Sequence, residues 1–224
     1  MPASRLVAER RQEDAREQRL GDAPVTAVVC THNGEQFLEQ QLLSILSQSH
    51  PVAEVIVSDD ASRDGTVELA RRVLEASDRA FRIYTRDEPL RVSANFAFAL
   101  GEARTEYLAT SDQDDVWHPK KVEHLLAPLV GDDQALLAHS DALLVDEDGE
   151  PIGGTLLESL EITDAEWRDY ENGRQLAALT ARNFVTGATM MLRASLVFRA
   201  GNAPEPWIHD EWLATTAALV NGLR

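Results

Sequence analysis

The sequence predicts an α/β fold, a mostly parallel central sheet flanked by helices, and three observations lead there. Short runs rich in β-branched residues alternate with segments of helical period through the first half of the chain, the pattern of strands joined by crossover helices. Polar, acidic loops directly follow several of those runs, as loops do at the carboxyl edge of such a sheet. The 224 residues, 44% of them hydrophobic, suffice for one buried core.

The elements follow in order. Val25 to Cys30 is a buried-type strand, and Thr31-His32-Asn33-Gly34 is a loop. Phe37, Leu38, Leu42, Ile45 and Leu46 then share one helical face. Glu54 to Ser58 is the second strand, Asp59 to Gly65 a polar loop, and Val67, Ala70, Val73 and Leu74 mark the next helix. Phe81 to Tyr84 is a short strand, residues 93–103 are helical, and Tyr107 to Thr110 is a fourth strand ending in Ser111-Asp112-Gln113-Asp114-Asp115. Pro119, which a first helical turn tolerates, opens a helix to Val130.

The second half is less regular. Ala135 to Val145 reads as one long strand, and Asp148-Gly149 as a turn of hairpin type. Residues 155–170 show no clear period and read as a loop; Asn172 to Arg182 is helical. Phe184 to Leu192 reads as a strand, Gly201 to Pro206 as a loop, and residues 211–220 as a last helix. Residues 1–23 mix both charges with few large apolar groups and read as a solvated tail or exposed helix, leaving 24–224 as the folded domain.

Composition narrows the function. With 38 acidic against 21 basic residues, the formal net charge is -17. Such a surface repels phosphate backbones, which excludes a nucleic-acid partner, while a bound cation can still reverse the field at one phosphate ligand. Cys30 is the only cysteine, so neither an internal disulfide nor a multi-cysteine zinc site can form. No apolar run reaches the ~18 residues of a membrane span, and no apolar signal core opens the chain. The expectation is a soluble cytoplasmic protein, with room for peripheral contact at the inner face of the cell membrane.

The chemistry sits where the carboxylates fall. Asp59 and Asp60 follow the second strand, and Asp112, Asp114 and Asp115 follow the fourth. Ligands of open α/β sheets bind beyond the carboxyl ends of the strands, so both clusters project toward one edge. Converging carboxylates repel one another unless compensated, and oxygen-only ligands favour Mg²⁺, Mn²⁺ or Ca²⁺ over zinc. In extended chain, Asp112 and Asp114 point to the same side and are placed to share one cation, which would also hold a departing diphosphate. A solvated acidic turn is the alternative for an isolated Asp-x-Asp; the second acidic strand end tilts the reading toward a site.

Four ordered segments resemble glycosyltransferase family 2, whose fold is the Rossmann-type GT-A nucleotide-diphospho-sugar transferase fold. Val28-Val29-Cys30-Thr31-His32-Asn33 is similar to its opening strand and Thr-x-Asn loop. Ser58-Asp59-Asp60-Ala61-Ser62-Arg63-Asp64-Gly65-Thr66 resembles its Asp-Asp-x-Ser-x-Asp-Gly-Thr segment. Ser111-Asp112-Gln113-Asp114-Asp115-Val116-Trp117 is similar to the Asp-x-Asp metal motif, in the form of rhamnosyltransferase-like members. His209-Asp210-Glu211-Trp212-Leu213 resembles the late motif that carries the catalytic base. The resemblance implies a nucleotide-binding set of Thr31, Asn33, Glu35, Asp59, Asp60 and Asp112. It also implies a divalent cation, Mg²⁺ or Mn²⁺, on Asp112 and Asp114, and Asp210 as the general base. Asp60 is the implied contact to the base, where an acceptor-only carboxylate suits the ring N–H of uracil or thymine.

The remaining residues get plainer readings. Asp64-Gly65 is a turn and helix start, Trp117 packs, and His118 and His139 are structural. Arg63 and Arg91 could reach a diphosphate, but the plainer reading is solvated surface. Trp207 and Trp212 either pack or offer a sugar platform. Gly187 marks a bulge or a close backbone approach by a ligand. Asp146 to Gly149 lacks the later ligands of a calcium loop and reads as a turn.

The expected function is inverting transfer of a sugar from a UDP- or dTDP-linked donor to a hydroxyl of a glycan or lipid-linked acceptor, in the synthesis of cell-surface polysaccharide or glycolipid. The resemblance tilts the donor toward dTDP-rhamnose. The family's chains usually continue past the base motif, including a His-containing segment near the diphosphate, whereas Arg224 follows Asp210 by 14 residues. Two alternatives stay open: a nucleotide-sugar-binding module without turnover, truncated or partner-dependent, and, ranked below it, a metal-dependent phosphohydrolase built on Asp112 to Asp115.

Overall fold

The computed structural model describes residues 18–224, so most of the tail expected at residues 1–23 lies outside the described residues. From Val25 the chain runs β1 (Val25–Thr31), α1 (Leu38–Leu46), β2 (Glu54–Asp59), α2 (Thr66–Glu75), β3 (Ala80–Tyr84), α3 (Val92–Glu102), β4 (Tyr107–Ser111) and α4 (Lys121–Gly131). It continues as β5 (Leu137–His139), β6 (Leu143–Val145), β7 (Pro151–Thr155), α5 (Leu156–Ser159), α6 (Asp164–Glu171), α7 (Gln175–Ala181), a 3₁₀ turn at Gly187–Thr189, β8 (Met190–Arg193), α8 (Ala194–Ala200) and α9 (His209–Ala218).

Six strands form one sheet in the order β3-β2-β1-β4-β8-β5. β1 to β4 are mutually parallel, and β8 runs antiparallel between β4 and β5. This is the expected α/β architecture with a mostly parallel sheet. Every residue of β1 is buried, because helices cover both faces. Val25, Ala27 and Val29 face one apolar layer, with Leu38 and Leu42 of α1 and Leu126 and Leu129 of α4. Val28 and Cys30 face the other, with Phe96 of α3 and Leu213 of α9. That alternation is the strand period of two, and each fully buried Leu or Phe contributes roughly 1.5–3 kcal/mol of transfer free energy. No helix among the described residues is long and apolar enough to cross a membrane.

Four expectations need correction. The strand expected over 135–145 is two strands in two sheets. Asp141 breaks it: its carboxylate accepts the backbone N–H of Ala142 at 2.8 Å and of Leu157 at 3.0 Å, turning the chain so that β6 pairs with β7 in a hairpin around Asp146 to Gly149. Residues 155–170 are mostly helix rather than loop. Thr155 with Glu158, and Thr163 with Glu166, form reciprocal capping boxes, which satisfy N-terminal donors of helices too short to show a period. The strand expected over 184–192 begins only at Met190. Before it, Thr189 N–H and hydroxyl both bond to Thr186 O, and the N–H of Gly187 is taken by Asp210, so these donors are lost to a ladder. Pro119 precedes α4, which starts at Lys121.

Candidate functional site

Parallel register brings the motif loops to one edge. Thr31 at the end of β1 lies beside Asp59 at the end of β2, and Val29 pairs with Ser111 at the end of β4. The loops that follow are fastened to one another. Asn33 accepts the N–H of Arg63 at 2.9 Å, Glu35 accepts that of Gly65 at 2.9 Å, and Gly34 N–H donates to Thr66 Oγ1 at 2.8 Å. Gln113 joins the third loop: its Oε1 accepts His32 N–H at 2.8 Å while its Nε2 donates to His32 O at 3.2 Å. Asn33, Ala61 and Arg91 have φ of 51°, 64° and 70°, left-handed backbone that persists only where the surroundings fix it; Asn33 is held by the bond to Arg63 and Arg91 by its N–H on Asp60.

Between the loops lies a cleft of about 330 Å³, lined by Cys30, Thr31, His32, Asp60, Val92, Asn95, Phe96, Asp112, Gln113 and Asp114. A wider hollow of about 440 Å³ lies around Glu106, Arg193 and Arg199, toward the opposite ends of β4 and β8. The chemistry points to the smaller one, where carboxylates from two strand ends meet.

The structure therefore brings together Thr31, Asp60, Asp112 and Asp114 on the cleft wall. Asn33, Glu35, Asp59 and Asp210 do not line it. Asp59 accepts Thr31 Oγ1 at 2.8 Å, Ser62 N–H at 2.9 Å and Ser62 Oγ at 2.5 Å, so it organises the loop. Asp60 pairs with Arg86 at 3.0 Å and accepts the backbone N–H groups of Leu90 at 2.7 Å and Arg91 at 2.8 Å.

The cleft carries a surplus of negative charge. Burial first, then Asp115, Asp114 and Asp210, push the Asp112 carboxyl up to about 6, against the pull of Lys121. Burial also raises Asp115, whose Oδ2 is buried without a partner. A divalent cation fits that imbalance. Among the described residues no three His, Cys, Asp or Glu groups form a ready-made cation cage. The arrangement fits the Mg²⁺-like mode instead, in which one or two carboxylates hold the ion and phosphates and water complete its shell. Half-buried Lys121 is the local counter-charge. Loss of solvent around its ammonium brings it down to about 7, although Asp115 and Asp112 oppose this. It lies 4.2 Å from the centre of the Trp117 ring.

Asp210 is buried at the start of α9. Its Oδ2 accepts Gly187 N–H at 2.9 Å and its Oδ1 accepts Glu211 N–H at 2.7 Å, leaving each oxygen room for another donor. It is near enough to Asp112 to bear on its charge. Beside it the His209 ring stacks on Phe96, 4.1 Å between centres and 10° between planes. Burial lowers the His209 pKa, with Asp210 opposing.

Sequence reading missed Gln113, Arg86, Asn95 and Lys121. Arg86 donates to Asp60, Asn95 Oδ1 and Ser58 Oγ; nothing in its sequence neighbourhood separates it from surface arginines such as Arg63. Arg91 touches Asp60 through its backbone N–H. Trp117 is 3% exposed and packs as expected. Trp207 and Trp212 form an edge-on pair, with Trp212 Nε1 donating to Ala200 O at 3.0 Å.

The likenesses to known proteins agree with this geometry. The model of the family described as Glycosyl transferase family 2 matches residues 26–197. The chain is 30% identical over 125 residues to EpsE of Bacillus subtilis strain 168, named as a glycosyltransferase, covering 56% of this chain and 45% of EpsE. It is 29% identical over 128 residues to TuaG of the same organism, named as a teichuronic acid biosynthesis glycosyltransferase, covering 57% of this chain and 50% of TuaG. The chain thus spans about half the length of these curated relatives. Among solved structures it resembles residues 1–349 of S. aureus TarS in complex with UDP, with a TM-score of 0.63 and 17% identity over 88% of this chain and 55% of that one. It also resembles mannosyltransferase PcManGT from Pyrobaculum calidifontis in complex with GDP-Man and Mn²⁺, with a TM-score of 0.59 and 21% identity over 94% of this chain and 59% of that one. These structural likenesses speak for the GT-A-like fold.

Proposed function

This chain belongs to glycosyl transferase family 2, and from that premise we propose that it transfers a sugar from a nucleotide-sugar donor to an acceptor hydroxyl, with inversion at the anomeric carbon. One observation carries the reading: Asp210, about a hundred residues beyond the Asp112–Asp115 loop in sequence, is held by Gly187 N–H, and the Gly187 carbonyl is held by Thr110, two residues before Asp112 on the cleft wall, so Asp210 lies near enough to raise Asp112. Donor-side acid residues and a separate buried carboxylate at one place are what displacement at a sugar carbon requires.

Asp60 and Thr31 take the nucleoside, with Asp112 beside them on the cleft wall. Asn33, Glu35 and Asp59 serve binding by holding the loop shape. Asp112 and Asp114 would hold a divalent cation, Mg²⁺ or Mn²⁺. When bound, the ion supplies positive charge that offsets the diphosphate as the sugar–oxygen bond breaks. Asp210 accepts the proton of the acceptor hydroxyl while that oxygen forms its bond to the anomeric carbon; the nucleoside diphosphate leaves with the electron pair of the broken bond. General-base assistance of this kind contributes roughly 10²–10⁴-fold, and positioning with charge stabilisation the rest.

For the donor we favour a UDP- or dTDP-linked sugar, with rhamnose suggested by the Asp112-Gln113-Asp114-Asp115 form of the motif. The named relative in teichuronic acid biosynthesis supports a glycan or lipid-linked acceptor in cell-surface polymer synthesis. Nothing favours the phosphohydrolase alternative, since the fastened Thr31 loop and Asp210 have no part in it.

Melting temperatures with UDP, dTDP and GDP, each with and without Mn²⁺, test the donor site. A ligand at a hundred times its Kd adds about 2.7 kcal/mol of stability. One nucleotide should raise the melting temperature only with Mn²⁺, and Asp114→Ala should abolish that shift. No shift with any nucleotide in folded protein would refute the donor site. Nucleotide binding without release of diphosphate from any sugar donor would mark a binding module instead.

A further inference from the structure

The side chain of Asp210 makes one hydrogen bond within its own helix, to Glu211 N–H, and one outside it, to Gly187 N–H at 2.9 Å. What fixes Gly187 therefore fixes where that carboxylate sits. The turn that begins there is gripped at four successive carbonyls. Thr110 Oγ1, at the end of β4, donates to Gly187 O at 2.5 Å and reaches Met190 O at 3.3 Å. Lys121 Nζ, at the start of α4, donates to Ala188 O. Ser140 N–H, just past β5, donates to Thr189 O at 3.1 Å. Thr110 and Lys121 flank the Asp112–Asp115 loop on either side. The strand that precedes the acidic loop and the helix that follows it are thus bonded to the same turn that holds Asp210.

Space as well as hydrogen bonding ties the turn to the base. A Cβ on Gly187 would stand 2.9 Å from His209 Nε2, 3.5 Å from its Cε1 and 3.7 Å from Asp210 Oδ2. His209 has little room to retreat, because its ring is stacked on Phe96, which is 1% exposed. Any side chain at position 187 must displace the imidazole, which precedes Asp210 in the chain, and would rest in contact with the carboxylate itself.

We propose that the Gly187–Thr189 turn aims the Asp210 carboxylate and couples its position to the acidic loop, with Gly187 and Thr110 as positioning residues. The proposal rests on the reading of Asp210 as the base. Gly187 supplies a bare N–H and the absence of a side chain. Thr110, fully buried, supplies a hydroxyl that holds the Gly187 carbonyl.

The test is steady-state release of nucleoside diphosphate from UDP-GlcNAc, dTDP-rhamnose or GDP-mannose with Mn²⁺, whichever donor is turned over, water serving as acceptor. Misplacement by about 1 Å costs on the order of 100-fold in rate. Gly187→Ala should therefore lower kcat about 100-fold while donor KM and the nucleotide-dependent melting shift stay within twofold of wild type. Thr110→Val, nearly the same shape without the hydroxyl, should lower kcat at least tenfold, and Thr110→Ser should restore it. This series stands if Gly187→Ala does not fold. Unchanged kcat in folded Thr110→Val, or a Thr110→Ser variant as slow as Thr110→Val, would overturn the proposal. Asp210→Asn separates the two readings: full turnover there refutes the base itself, whereas a dead Asp210→Asn beside an unimpaired Thr110→Val refutes only the positioning role.

Discussion

Asp59 and Asp60 are neighbours in sequence with different uses. Asp59 takes the hydroxyls of Thr31 and Ser62, while Asp60 faces the cleft and Arg86, because consecutive residues leave a strand toward opposite faces. His139 shows burial acting on a single group. Its Nε2 lies 2.7 Å from the Tyr170 hydroxyl, its Nδ1 has no partner, and burial lowers its pKa from 6.5 to about 4 against the pull of Asp141. Below pH 6.5 the unfolded chain takes up a proton that the native ring refuses until about pH 4, so stability is lost as pH falls through that window. The loss amounts to at most about 3 kcal/mol. Asp112, raised from 3.8 to about 6, acts in the opposite sense over nearly the same range, so the wild-type profile alone conceals both. Urea unfolding of wild type and His139→Gln at pH 7, 5.5 and 4.5 should show the variant losing less stability on acidification. Parallel profiles would show that the native ring protonates freely.

At the scale of elements, hydrogen bonds made by single side chains decide what period cannot. α6 spans Asp164–Glu171 with no fully buried residue, so hydrophobic spacing hardly marks it. The reciprocal pair Thr163 and Glu166 starts it, and a Thr cap replaced by Ala costs about 1 kcal/mol. Thr163→Ala should accordingly speed amide hydrogen exchange within α6 about fivefold, with exchange in β1 unchanged. Equal rates in α6 would mean that packing against α7, not the cap, holds the helix. The same logic explains β8. Arg193 donates to Ala135 O at 2.9 Å, Leu129 O at 2.6 Å and Tyr107 Oη at 3.1 Å, joining α4, β4 and the approach to β5 through one antiparallel strand.

At the scale of the molecule, two apolar layers share one sheet. Trp117 belongs to the layer under α1 and α4, and Trp212 sits on α9 beside the layer that contains Leu213 and Ala214. Because β1 contributes alternate residues to both layers, neither can lose its packing while the other keeps a complete face. Variants that retain only Trp117 or only Trp212 should unfold with coincident midpoints in denaturant. Midpoints that differ beyond the effect of the substitutions themselves would mean that the layers melt separately. The same sheet explains the site: parallel register is what delivers Thr31, Asp59 and Ser111 to one edge.

The sequence by itself determined the alternation of strands and helices, the acidic strand ends and the family. These are written in local period and short motifs, which need only neighbouring residues to be read. Tertiary structure decided which motif residues face the cleft. Thr31, Asp60, Asp112 and Asp114 line it, whereas Asn33, Glu35 and Asp59 are spent on fastening loops. It also brought Gln113 to the cleft wall, set Arg86 against Asp60 and Lys121 near Asp115 and Asp112, and left a Cβ at Gly187 no room beside His209. A side chain's burial and partners depend on residues tens of positions away, as with Thr110 and Gly187, and sequence period carries no information about contacts at that separation.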